Sequence, residues 1–94
     1  MLRVAGYDVP VIVETNPDFT DEYHGQYSRL PTTRIRLSAV NEPSRQKETL
    51  IHELIHAISD AYDSELDERQ VSTLSRGLYA AFVDNPKLLA YPAE

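Results

Sequence analysis

Two histidines and a glutamate in the stretch Leu50-Ile51-His52-Glu53-Leu54-Ile55-His56-Ala57-Ile58 are the residues of this chain whose types and spacing could do chemistry together. They read H-E-x-x-H. On a helix, His52 and His56 are four residues apart and share one face, close enough for two imidazole nitrogens to bind one zinc ion at about 2.0–2.1 Å. Glu53 lies on the flank of that face. From there its carboxylate reaches a zinc-bound water and can act as general base, the division of labour of zinc metalloproteases.

Such a motif needs a half-buried amphipathic helix around it. At about 100° per residue, Leu50, Ile51, Leu54, Ile55, Ile58, Ala61 and Tyr62 fall on one side, with His52, Glu53, His56, Ser59, Asp60 and Asp63 on the other. The plainer alternative is a surface helix carrying two solvent-facing histidines. The uncharged interior of the motif and its apolar flanks favour a metal-bearing core helix. Pro43 and Ser44 open this helix, with Asn41 or Glu42 as its cap, and it is expected to run to about Tyr62. Asp63 and Ser64, rather than a glycine, mark its stop.

The elements that must position the motif follow from pattern. Leu2 to Thr15 is rich in β-branched residues broken by Gly6-Tyr7-Asp8 and Pro10, which predicts two short strands around a turn, with Val9, Val11 and Val13 on one face. Pro10 lacks a ladder donor and argues for an edge. Asn16 to Gly25 is polar and reads as a loop with room for one helical turn. Gln26 to Leu30, the turn Pro31-Thr32-Thr33 and Arg34 to Ser38 alternate as strand, turn and strand, with Ile35 and Leu37 inward and Arg34 and Arg36 outward as a solvated face. A second helix is expected from Asp67, where Asp67 and Gln70 stand in capping-box relation and Val71, Leu74, Leu78 and Phe82 repeat as a buried face. Asp84-Asn85-Pro86 ends it, and one loose turn near Leu88 and Leu89 follows. Strands followed by helices make an α+β fold, a small antiparallel or mixed sheet packed on the long H-E-x-x-H helix.

At 94 residues the chain is expected to be one domain, 1–94, with a modest core. Cysteine is absent, so any metal must be held by His and carboxylate, and a reducing compartment is consistent with the composition. No apolar run approaches a membrane span and the N-terminus lacks a signal-peptide core, which predicts a cytoplasmic protein with no membrane partner. The formal net charge is -6, and residues 51–94 carry Arg69, Arg76 and Lys87 against eight acidic residues. No nucleic-acid partner is expected, because phosphate binding needs a basic surface.

A catalytic zinc has three protein ligands and an open fourth position. The metzincin continuation would place Gly at 59 and His at 62; Ser59 and Tyr62 stand there, which excludes that class. Asp60 and Asp63 would have to bend back along their own helix and suit supporting or solvent roles. Glu65, in the connection, Asp67, and Glu68, opening the second helix, remain as donors, with His24 upstream.

From Gln26 to Pro86 the chain resembles the small phage- and bacteria-encoded zinc metallopeptidases of the gluzincin type, related to the ImmA/IrrE metallo-endopeptidases. The similarity runs through Gly25-Gln26-Tyr27, Arg34-Ile35-Arg36-Leu37, Gln46 to Ile58, and Glu68-Arg69-Gln70-Val71 with Leu74, Gly77-Leu78 and Asn85-Pro86. In that family the third ligand is a Glu three residues before a small residue and six before a large apolar one. Glu68, Val71 and Leu74 match, so the resemblance implies His52, His56 and Glu68 as zinc ligands; the chain departs from it at Ser72, where larger relatives usually carry Asn. A minimal zincin-like fold and a host-cytoplasmic location for a phage-encoded chain are implied with it.

The implied activity is zinc-dependent hydrolysis of a peptide or protein substrate with Glu53 as general base. The competing class is a zincin-fold binding module, latent or inactive, that keeps a structural zinc and acts through a protein partner. Candidates for stabilising the oxyanion are Tyr23, His24 and Tyr79, each of which could equally be an ordinary surface or core residue. The Gln26–Leu30 strand, if it lies at an edge, offers backbone pairing to an extended substrate.

Overall fold

The structure is a computed structural model and describes residues 2–15, 25–28, 34–39 and 43–90. At the N-terminus, β1 (Leu2–Val4) and β2 (Tyr7–Val9) form an antiparallel hairpin in which Leu2 faces Val9 and Val4 faces Tyr7. The two turn residues, Ala5 and Gly6, have φ of 50° and 86°, the positive pair that a tight right-twisted hairpin requires. Pro10 then carries the chain out of the hairpin and into a second sheet. There β3 (Val11–Glu14) runs parallel to β5 (Arg34–Ser38), and β4 (Gly25–Ser28) pairs with β5 on its other side, antiparallel, in the order β3-β5-β4.

This corrects the expectation of two N-terminal strands sharing one valine face. Three strands form, because Pro10 cannot donate to a ladder and ends β2. Val9 is 2% exposed under the hairpin, whereas Val13, in the other sheet, is 53% exposed. Among the described residues β3 is an edge strand, as Pro10 suggests, and the Pro10 carbonyl accepts from the Ile35 N–H at 2.9 Å. The predicted turn at 31–33 lies outside the described residues, as do the cap candidates Asn41 and Glu42.

Arg36 also departs from expectation. It points away from the helices but is buried, not solvated. Its guanidinium makes two 2.7 Å bonds to the Glu14 carboxylate and one of 3.0 Å to Gln26 Oε1. Charge burial of this kind is tolerated because the planar fork is matched bidentately.

α1 (Pro43–Ala61) is the element against which β1, β4, β5 and α2 pack. Ile35 and Leu37 of the central strand meet Ala57, Leu50 and Leu54, and with Val4 and Val9 they make the core. The face predicted to be polar and open is largely covered, since Glu53 and Ser59 are buried there, while Ile58, Ala61 and Tyr62 are exposed on the other side. α1 stops firmly. Asp63 takes a left-handed φ of 51°, its N–H donates to the Asp60 carbonyl at 3.3 Å and the Ser64 N–H to the Ser59 carbonyl at 3.0 Å, the paired closure of a Schellman motif with Asp in the usual glycine position.

α2 (Glu68–Asp84) begins as predicted: Asp67 accepts from the Gln70 N–H at 2.8 Å and Gln70 Oε1 accepts from the Asp67 N–H at 2.9 Å. Asn85 ends it and a single 3-10 turn spans Leu88–Ala90. Of its predicted buried face only Val71 is buried. Val71 and Ser75 are buried, whereas Leu74, Leu78 and Phe82 are 43%, 39% and 40% exposed. The line of contact with α1 follows Glu68, Val71 and Ser75, which rotates the leucine row outward.

Candidate metal centre

His52 and His56 stand on successive turns of α1, with ring centroids 5.1 Å apart. The connection after α1 folds back so that Glu68, in the first turn of α2, faces both. Its Oε1 is 2.5 Å from His52 Nε2 and its Oε2 is 3.0 Å from His56 Nε2. These three donors form a cluster whose ligand atoms lie within 4.8 Å of one another. Two imidazoles and a carboxylate, with no thiol in the chain, are the donor set that fits a catalytic zinc with an open fourth position.

The fold-back depends on Ser59. Its buried hydroxyl oxygen accepts from the Leu66 N–H at 3.0 Å and from Ser64 Oγ at 3.1 Å, which ties the connection to α1 just before Asp67 caps α2. Glu65 has a φ of 53°, is exposed, and does not join the cluster. Asp63 is used in the turn. Asp60 accepts from Tyr27 Oη at 2.8 Å.

Glu53 is 8% exposed and sits beside the histidines. Burial pushes its carboxyl above the ordinary range, against the lowering pull of His52, His56 and the Tyr27 backbone N–H, and Glu68 adds to the rise. Burial thus favours the protonated form of this carboxyl, the direction expected of a group that accepts a proton.

The other wall is β4. Gly25, Gln26 and Tyr27 line a cleft of about 260 Å³ together with His52, Glu53, His56 and Glu68. The strand comes so close to α1 that a Cβ on Gly25 would lie 2.6 Å from Thr49 Cγ2 and 3.0 Å from the Arg36 carbonyl. Among the described residues β4 is an edge strand. Ile35, opposite Tyr27, gives its N–H to Pro10 on the far side. Tyr27 is therefore in a pair that exchanges no hydrogen bonds, and its N–H and C=O turn away from β5. Its N–H reaches Glu53, and its hydroxyl reaches Asp60 two turns along α1.

Of the oxyanion candidates, Tyr23 and His24 lie outside the described residues. Tyr79 is half-buried on α2, about three turns beyond Glu68, and does not line the cleft. No local pattern in the sequence marks Gly25, Tyr27 or Ser75 as parts of this site, and Ser59 stands out there only as the residue at the metzincin glycine position. For Gly25 the only local signal was a lone glycine before an alternating strand.

The family model for the IrrE N-terminal-like domain, a peptidase family, matches residues 7–81. The chain belongs to this family. Membership agrees with the resemblance to the ImmA/IrrE metallopeptidases and makes this a peptidase-type domain of α+β fold. No curated protein and no solved structure matches the chain at a significant level. No helix among the described residues is long and apolar enough to cross a membrane.

Proposed function

We propose that the protein is a zinc-dependent metallopeptidase in which His52, His56 and Glu68 hold the metal and Glu53 is the general base. The observation that carries this reading is the convergence of three donor atoms from two helices beside a buried carboxyl in an open cleft. Zinc bound there supplies the Lewis acidity that brings ionisation of a bound water toward neutral pH and polarises a carbonyl. Glu53 takes a proton from the attacking water and returns it to the departing amine. The Tyr27 N–H steadies the Glu53 carboxylate. The edge of β4 offers a backbone against which an extended peptide or protein substrate can add.

A second reading, an inactive binding module with a structural zinc, draws on the exposed Leu74, Leu78 and Phe82 row of α2 as a partner surface. One experiment separates the two. Zinc is measured per chain, and a mixed peptide library is incubated with wild type and with Glu53→Gln. A peptidase gives one zinc in both proteins and new termini with wild type alone. Bound zinc with no new termini, in a library that a control metallopeptidase digests, favours the binding module.

A further inference from the structure

The cleft that holds His52, Glu53 and Glu68 continues past them, toward the N-terminal end of α1, into a second cavity of about 390 Å³. Its further walls are Arg45, Glu48 and Thr49 of α1 and Ser72 and Arg76 of α2. The opposite extension, beyond His56, is lined by Asp60, Asp63 and Glu65 and by no lysine or arginine. One groove thus passes the candidate metal centre with a basic end and an acidic end.

Basic side chains are scarce in this half of the chain. Residues 51–94 hold Arg69, Arg76 and Lys87 alone, yet Arg76 stands on the cleft wall. The residues three and four away from it along α2 are Ser72, Thr73, Tyr79 and Ala80, so no neighbour on its own helix can pair with its charge. Among the described residues its guanidinium makes no ion pair. Arg45 brings a second positive charge from α1. Of the three acids on that wall, Glu68 is the proposed ligand and Glu53 the buried base, which leaves Glu48 against two arginines. In a chain of net charge -6 they make a local positive potential, and a guanidinium's paired N–H donors match a carboxylate.

β4 gives a bound peptide its direction. Gly25, the first residue of the strand, lies against Thr49, whereas Tyr27 reaches Asp60, so β4 starts at the basic end of the groove and finishes at the acidic end. A peptide adding to β4 in the antiparallel sense, the slightly more stable pairing, has its C-terminal half at the basic end. Arg76 is eight residues beyond Glu68, about 12 Å along α2. An extended chain advances about 3.3 Å per residue, which puts the group that meets Arg76 within about four residues of the cleaved bond.

We propose that Arg76, supported by Arg45, binds a carboxylate on the C-terminal side of the cleaved bond, either an Asp or Glu side chain or the terminal carboxylate of a short peptide. The inference rests on the peptidase reading above and adds a substrate class to it. The competing account is that Arg76 is a solvated charge that merely keeps the helix surface polar.

The test maps cleavage sites by mass spectrometry in a mixed peptide library made once with free C-termini and once amidated. Wild type, Arg76→Gln and Arg76→Lys are compared, with zinc content measured in each. Wild type is expected to prefer a carboxylate in that C-terminal span about fivefold over the corresponding amide, the upper end for an accessible ion pair. Arg76→Gln is expected to lose the preference with zinc content unchanged, and Arg76→Lys to keep much of it. A preference that survives amidation assigns the ligand to a side chain, and one that vanishes assigns it to the peptide terminus. Cleavage by wild type with no carboxylate preference overturns the proposal, as does a preference on the N-terminal side or an equal one in Arg76→Gln. If wild type cuts nothing, the peptidase reading fails separately. The same libraries are then passed over immobilised wild type and Arg76→Gln: selective retention of carboxylate peptides by wild type upholds the arginine site, and equal retention overturns it.

Discussion

Glu53 carries a cost in the absence of metal that its neighbours only partly offset. Burial raises its carboxyl in the folded chain, so its protonated form is the one that folding favours. The stability linked to that proton is fully present below the unfolded value of 4.5 and is lost as pH rises through the raised folded value. Glu53→Gln removes the ionisation. Metal-free Glu53→Gln should therefore melt higher than metal-free wild type at neutral pH, with the gap closing on acidification; calorimetry across pH checks this, and a lower melting point at neutral pH would contradict it. Tyr27 is a second single-residue test. Tyr27→Phe loses the 2.8 Å bond to Asp60 and should cost about 1 kcal/mol of stability. Its backbone N–H to Glu53 remains, so zinc content should not change.

At the scale of elements, the angle between α1 and α2 decides whether Glu68 meets the histidines. That angle is set by the connection, where Asp63 takes a left-handed conformation that a non-glycine residue adopts at about 1 kcal/mol or more. Asp63→Gly should raise the melting temperature, by relief of about 1 kcal/mol, and leave zinc binding intact. Gly25 is the opposite case. Its Cβ would meet the side chain of Thr49 and the backbone of Arg36, so Gly25→Ala should push β4 away from α1. Lower stability and a weakened Tyr27–Asp60 contact are the expected results, and a crystal structure of the variant with β4 in place would refute the packing argument.

Across the whole molecule the proposed metal ties two helices whose shared apolar contact is small, since the buried positions of α2 are Val71 and Ser75. A ligand that binds only the folded chain adds RT ln(1 + [L]/Kd), about 4 kcal/mol at a thousandfold excess over Kd. Chelation should lower the melting temperature by several degrees. Glu68→Ala should reproduce most of that loss and reduce zinc content, whereas Glu65→Ala should do neither. Loss of metal in Glu65→Ala would move the third ligand into the connection.

Local periodicity and cap chemistry were sufficient to read the helix that carries His52, Glu53 and His56, the capping box of Asp67 and Gln70, the α+β order and the edge position at Pro10, because each depends on residues within a turn or a few of one another. Spacing alone left Glu65, Asp67, Glu68 and His24 open as third donors, and family resemblance selected Glu68. The tertiary structure decided what covers each face. Arg36 is buried because Glu14, 22 residues away, answers its charge. The alternation of a strand shows that two faces differ, not which one a distant segment will cover. The same holds for α2: its leucine row has the right period, yet the contact with α1 runs through Ser75, 23 residues from His52. Tyr27 and Asp60, 33 residues apart, could be joined only once β4 lay along α1. Helical period fixes the spacing of side chains around an axis, but the rotation of that axis against its neighbour is set by how the two surfaces pack.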